Sequence, residues 1–202
     1  MLFVFSKFRG SHWQNYTPDK RLQILQALEN KMAKKQHRKP TIVCVNPDLP
    51  EGCLGLFEAT SINNQHIFIN DQLLYHHKLR FHAMETIIHE GRHAYQYNIV
   101  RRKHIPFLNF TARRWKKNWQ AYFTATDNPT IYNMQAIERD AQKYTIVMLK
   151  RLAYKYKNET AFKATLKNCI QRFEQGELDA RKEYGLFFQH KIDKVIDRKT
   201  RR

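Results

Sequence analysis

The chain has 202 residues, with 36 Lys and Arg against 18 Asp and Glu, a formal charge of +18. With 42% hydrophobic residues and only 6 Gly and 6 Pro it is a folding chain, not a disordered one. No run approaches the roughly twenty apolar residues that span a membrane. Residues 1–5 lack the basic-then-apolar order of a signal peptide. Three scattered cysteines, Cys44, Cys53 and Cys169, make neither a disulfide framework nor a thiolate metal site and read as small buried residues. The expected setting is a reducing cytoplasm. The length suits a single domain over 1–202, with an N-terminal lobe to about residue 100 and a second lobe after it. A charge of this size favours anionic partners: nucleic acid, an anionic membrane surface or acidic proteins.

In chain order, residues 1–17 carry little pattern, and 1–5 are compatible with an edge strand. A helix begins at Asp19, just after Pro18, with Leu22, Ile24, Leu25, Leu28 and Met32 as its apolar stripe. Lys34, Lys35 and Arg38 suit its negative end, and Pro40 stops it. Residues 41–45 read as a buried strand and 46–52 as a turn-rich loop. Residues 54–58 and 66–70 read as two strands of a hairpin linked by 61–65.

Residues 79–100 form the next helix. Met84, Ile87, Ile88, Gly91, Ala94 and Tyr95 lie on one side, and Thr86, His89, His93, Gln96 and Tyr97 on the other. That predicts a helix anchored by one face and lining a cleft with the other. It contains His89-Glu90-Gly91-Arg92-His93. Residues four apart on a helix sit one above the other, so both imidazoles can reach one metal ion. Glu90 lies about 100° round the helix, beside the metal rather than on it. Zinc lowers the pKa of a bound water to about 7, and Glu90 is placed to take its proton.

A basic connector follows at 101–107. Residues 109–124 interleave Arg113, Arg114, Lys116 and Lys117 with Trp115, Trp119 and Phe123. Such a segment can bind single-stranded nucleic acid, although aromatics at four-residue spacing also make a core face. After a turn at 127–130, residues 132–156 read as one long helix. Two further helices follow: one holds Phe162, Leu166, Ile170 and Phe173 and ends near Gly176, and the next starts near Leu178. The tail 198–202 reads as frayed and solvated.

The motif on its apolar-anchored helix resembles the active-site helix of the zincin metallopeptidases. The metzincin branch needs Gly at position 96 and His at 99, where this chain has Gln96 and Ile99. Ile137-Glu138-Arg139-Asp140-Ala141 is similar to the segment from which gluzincins take a Glu as third ligand. Glu138 and Asp140 both flank the stripe of their helix, and helix geometry alone does not choose between them. The resemblance selects Glu138 as ligand and leaves Asp140 to hold a histidine ring. In larger gluzincins that Asp stands four residues after the Glu, where this chain has Gln142. The resemblance also implies a Tyr that stabilises the oxyanion, assigned to Tyr132 with Tyr97 as the other cleft-side tyrosine. It further implies an edge strand that pairs with extended substrate.

The expected fold is α+β: a small N-terminal sheet, a backing helix and the active helix, then a mostly helical C-terminal half. The expected function is a zinc peptidase acting on protein or peptide substrates, with Zn2+ on His89, His93 and Glu138 and with Glu90 as base. The alternative is a basic nucleic-acid-binding protein whose zinc site is structural or inactive, completed by a fourth ligand such as His82, His104 or Asp140.

Overall fold

The computed structural model describes residues 2–101 and 109–201. The basic connector beyond Arg101, with His104, lies outside the described residues. Among those described there are ten helices and one three-stranded sheet, an α+β fold with a helical C-terminal half. No helix among them is long and apolar enough to cross a membrane.

The N-terminus is helical, not a strand: α1 (Leu2–Ser6) leads into α2 (Gly10–Trp13). Phe5 and Phe8, three apart, are both buried, and Phe8 stacks on Trp13 at 4.9 Å. The apolar run of five residues was too short to show that interval. Thr17 then caps α3 (Pro18–Lys35) by accepting from the Lys20 amide, and Pro18 occupies the first turn.

The sheet has the order β1 (Ile42–Val45), β3 (Asn64–Ile69), β2 (Gly55–Ser61). β1 runs parallel to β3 and β2 antiparallel, which leaves β2 as a free edge. The hairpin turn is tighter than the expected link, with only Ile62 and Asn63 between the strands. α4 (Gln72–Tyr75) and one 3-10 turn lead into α5 (Arg80–Val100), the helix that carries the motif.

α5 lines a cleft as expected, through Glu85, Thr86, His89 and Glu90, but its polar side is less open than the pattern implies. Thr86, Glu90, His93, Gln96 and Tyr97 on its polar side are buried as well. The helical half folds over that side, and α3 and the sheet cover the other. At Gly91 the approach of α3 is close. Glu29 on α3 is fully buried and held by Arg38 through two bonds of 2.5 and 2.9 Å, while Arg38 also donates to the Gly91 carbonyl at 3.0 Å. A Cβ at position 91 would stand 2.8 Å from the Glu29 carboxylate and 2.8 Å from the Met32 methyl.

The helical half begins with α6 (Phe110–Gln120), which stops short of residue 124. The expected long helix is in fact two, α7 (Pro129–Met134) and α8 (Ala136–Leu152), separated at Gln135. Gln135 is extended (φ −61, ψ 150) because its buried amide is spent on the main chain of Phe123, at 2.8 and 3.3 Å. The two later helices also differ from expectation. α9 (Thr160–Tyr184) runs straight through Gly176, and α10 (Phe188–Thr200) takes in residues 198–200 of the stretch expected to fray. Gly176 admits the Met134 side chain of α7, which a Cβ would meet at 2.9 Å; the true stop is Gly185, at φ 77. One core spans both halves: Leu25, Ile67 and Phe81 share it with Leu149, Tyr156 and Phe162.

Replacing Gly by Ala inside a helix ordinarily stabilises it by up to about 1 kcal/mol. At position 91 the sign should reverse: Gly91→Ala is expected to destabilise by about 1–3 kcal/mol, because α3 is pinned where the new methyl must go. Denaturant unfolding of the variant measures this, and a gain in stability would show that α3 is free to retreat.

Candidate metal centre

His89 and His93 stand one turn apart on α5, and Glu138 projects from the first turn of α8 between them. The His89 Nε2 and His93 Nε2 atoms are 3.1 Å apart. The Glu138 carboxylate meets each ring at 3.3 Å, His89 through Oε2 and His93 through Oε1. A tetrahedral ion with bonds of about 2.0–2.1 Å has ligand-to-ligand edges of about 3.3 Å, so these spacings suit a metal ion. Among the described residues these three are the His, Cys, Asp and Glu group whose ligand atoms come together in this way. The donor set, two imidazoles and one carboxylate, is one that zinc accepts.

The supporting contacts differ from the expected ones. The His93 ring is held at its other nitrogen, Nδ1, by Gln96 Oε1 at 2.9 Å. Gln96 in turn donates to Asp140 and to the Ile137 carbonyl, both at 2.8 Å. Asp140 therefore reaches the histidine through Gln96, and its main partner is Arg92, which grips it at 2.7 and 3.1 Å. Arg92 is itself stacked over Tyr95 and Tyr144. His82 lies 3.5 Å from Glu85. Both His82 and Asp140 thus have partners away from the three ligand atoms.

Tyr122 was not anticipated. Its hydroxyl donates to Glu138 Oε1 at 2.7 Å, and its ring stacks on Trp119, which packs edge-on beside His93. It lies past the end of α6, so the four-residue aromatic rhythm that singled out Trp115, Trp119 and Phe123 passed over it. Tyr132 lies at the same place from another side, 6.1 Å from the Tyr122 ring, and lines the cleft with His89, Glu90 and Glu138. Tyr97 packs against Phe57 and Trp119 in the core instead.

The charges are strongly coupled. Burial alone would raise the Glu138 pKa, but the two imidazoles hold it well below the usual carboxylate range. Burial would lower that of His93, but the Glu138 charge, with Glu90 and Gln96, raises it to about 9. Glu90 is buried beside the cluster and its pKa is raised, chiefly by burial and also by the Glu138 charge; the Phe57 amide of β2 donates to it. Tyr122 is raised first by burial and Tyr132 first by the Glu138 charge, so both remain O–H donors at physiological pH.

The cluster opens into a cleft of about 450 Å³ between the start of β2, α5, α8 and α9. Cys53 and Cys169 line it, and burial raises both thiols, Cys169 to about 12, so neither is a thiolate at neutral pH. Comparisons with protein families, curated proteins and solved structures find no match for this chain.

The geometry predicts one divalent ion per chain, lost in His89→Ala and in His93→Ala. Because His93 is protonated below about 9 in the metal-free protein, binding at pH 7.5 should release about one proton, and affinity should rise with pH towards 9. Calorimetry in buffers of different ionisation enthalpy reads that proton; its absence would show that His93 is already neutral before the metal binds, and retention of the ion in His93→Ala would remove His93 from the site. Tyr122→Phe should weaken metal binding about 10- to 100-fold with the fold intact, as loss of a partner behind a ligand does.

Proposed function

We propose that the chain is a zinc-dependent peptidase of the gluzincin type, acting on protein or peptide substrates in the cytoplasm. One observation carries the reading: two imidazoles and a carboxylate converge at metal-ligand spacing beside a second, buried carboxylate, Glu90, at the wall of an open cleft. His89, His93 and Glu138 would hold the ion. Zinc, when bound, acidifies a water and polarises a carbonyl.

The residues of the chain supply the rest. Glu90 accepts the proton of the attacking water and returns it to the leaving amine; its raised pKa brings it nearer the range of an efficient base at neutral pH. Tyr132, an O–H donor at the cleft wall, supports the developing oxyanion. β2 offers an unpaired edge whose first residue, Gly55, borders the cleft, so an extended peptide can add to the sheet there. The rival, a structural zinc site in a nucleic-acid-binding protein, needs a fourth protein ligand. Neither His82 nor Asp140 supplies one, and His104 lies outside the described residues.

Glu90→Gln should retain the metal and lose cleavage of a peptide library by roughly 10²–10⁴-fold, the span of a general base. Mass spectrometry of the products and metal analysis of the same sample test both halves. Wild-type cleavage by this variant would end the reading, as would a four-ligand metal spectrum in the cobalt-substituted protein.

A further inference from the structure

In the segment that could stack on nucleic acid the tryptophans mostly serve packing, although Trp119 still lines a pocket with Arg101 and Lys116. Trp115 is buried, and Trp119 is packed edge-on against Phe57, Tyr97 and His93. A different place combines charge with an open ring. Beyond α8, residues 153–158 form a turn that carries Lys155 and Lys157 to the side of Arg9, just ahead of α2. Together they line a pocket of about 570 Å³, and Tyr154 lines it with 84% of its surface exposed, the Lys157 ammonium 5.5 Å from the centre of its ring on one face.

This turn is built into the fold. Tyr156 at its centre is buried and donates to the Phe5 carbonyl. Glu159, at the end of the turn, accepts from Arg80 at 2.7 Å and from the Gly10 amide at 3.3 Å. It is the one carboxylate among the described lining residues, and these bonds commit it elsewhere. Burial lowers the Lys155 pKa, and the charges of Arg9 and Lys31 lower it further, so like charges are held together here. A charged face kept only for solubility needs neither the concave shape nor the open ring. A polyanion with flat groups uses both.

We propose that this pocket is a contact for single-stranded nucleic acid, with phosphates on Arg9 and Lys157 and a base stacked on the free face of Tyr154. α8 joins it to the metal centre. Glu138 is in the first turn of that 17-residue helix and Tyr154 lies past its last, a separation of about 25 Å at 1.5 Å per residue. The contact is independent of whether the cleft is a peptidase.

Fluorescence anisotropy of the full chain with a labelled oligo-dT or oligo-U of about twelve nucleotides, at about 50 mM salt, tests it. The wild type should bind in the micromolar range. Tyr154→Ala should weaken binding about tenfold, the loss of one stacked base, while Tyr154→Phe keeps it. Arg9→Ala with Lys157→Ala should weaken it and reduce the salt slope by about 1.4, two phosphate contacts on a single strand. Tyr154 is exposed, so its variants should fold as the wild type does, and circular dichroism checks that. The proposal fails if no oligonucleotide binds, or if Tyr154→Ala binds as the wild type does. It also fails if phosphatidylserine vesicles bind and lose affinity in the same variants while the oligonucleotides do not.

Discussion

A carboxylate that is 2% exposed cannot stand alone, and Glu138 is the constraint around which this fold is arranged. It is acceptable there because two imidazoles and the Tyr122 hydroxyl surround it, at 3.3, 3.3 and 2.7 Å. Those partners come from two places in the chain, α5 and the residues after α6, and the carboxylate itself from a third, α8. Each must be positioned to within a few tenths of an ångström for the carboxylate to be satisfied. The break at Gln135 follows from the same demand. It lets α7 turn away towards α9 while α8 begins at the point that brings Glu138 onto the histidines. The Asn118 side chain of α6 accepts from the Ile137 amide at the start of α8, so α6 fixes that origin directly.

α5 is held with equal care on both flanks. On one, the buried Glu29–Arg38 pair reaches the Gly91 carbonyl inside the motif. On the other, Arg92 and Gln96 both bind Asp140, and Gln96 fixes the His93 ring. A buried ion pair is a weak source of net stability, since desolvating the charges offsets most of their attraction. Here the two pairs have a more specific effect: they fix the rotation and height of one helix between its neighbours. Removing Glu29 or Arg38 would leave a buried charge, at a cost of about 3–5 kcal/mol, so that flank resists change even where it adds little stability, whereas Arg92 and Asp140 are part-exposed and cost less to separate.

The parts of this structure legible in the sequence are those whose information is local. The four-residue interval of His89 and His93 shows on any helix, and the strands read at 41–45 and 66–70 lie within two residues of those at 42–45 and 64–69. Glu138 was selected by resemblance, because both it and Asp140 flank the same stripe; what separates them is Arg92, which claims Asp140 from α5 and cannot be located without the fold. Gly176 was misread as a helix stop because a glycine inside a helix can serve a neighbour's close approach as well as a left-handed turn, and only the position of Met134 decides. Phe5 and Phe8 are both buried, but Phe8 lies beyond the apolar run, in the turn after α1. Tyr122 had no periodic signature, since it follows a helix end that tertiary contacts, not the sequence, impose.

The excess positive charge and the cleft belong to different surfaces. Among the described residues lining the cleft the single Lys or Arg is Arg172, and it is paired with Glu85; the carboxylates there are Glu85, Glu90, Glu138 and Asp179. A dication on two neutral imidazoles and Glu138 leaves one net positive charge, which Glu90 can offset. With such an ion bound the cleft would be close to neutral, with Asp179 on the acidic side, and without it the lining is acidic, in a protein of charge +18. A surface charge that served the cleft by steering an anionic substrate would have to focus there, as steering fields do. It does not. The cations Arg9, Lys155 and Lys157 gather past the far end of α8, where the anionic contact is proposed, while Glu138 at its first turn belongs to the candidate metal site, so the two proposed sites stand at opposite ends of one helix.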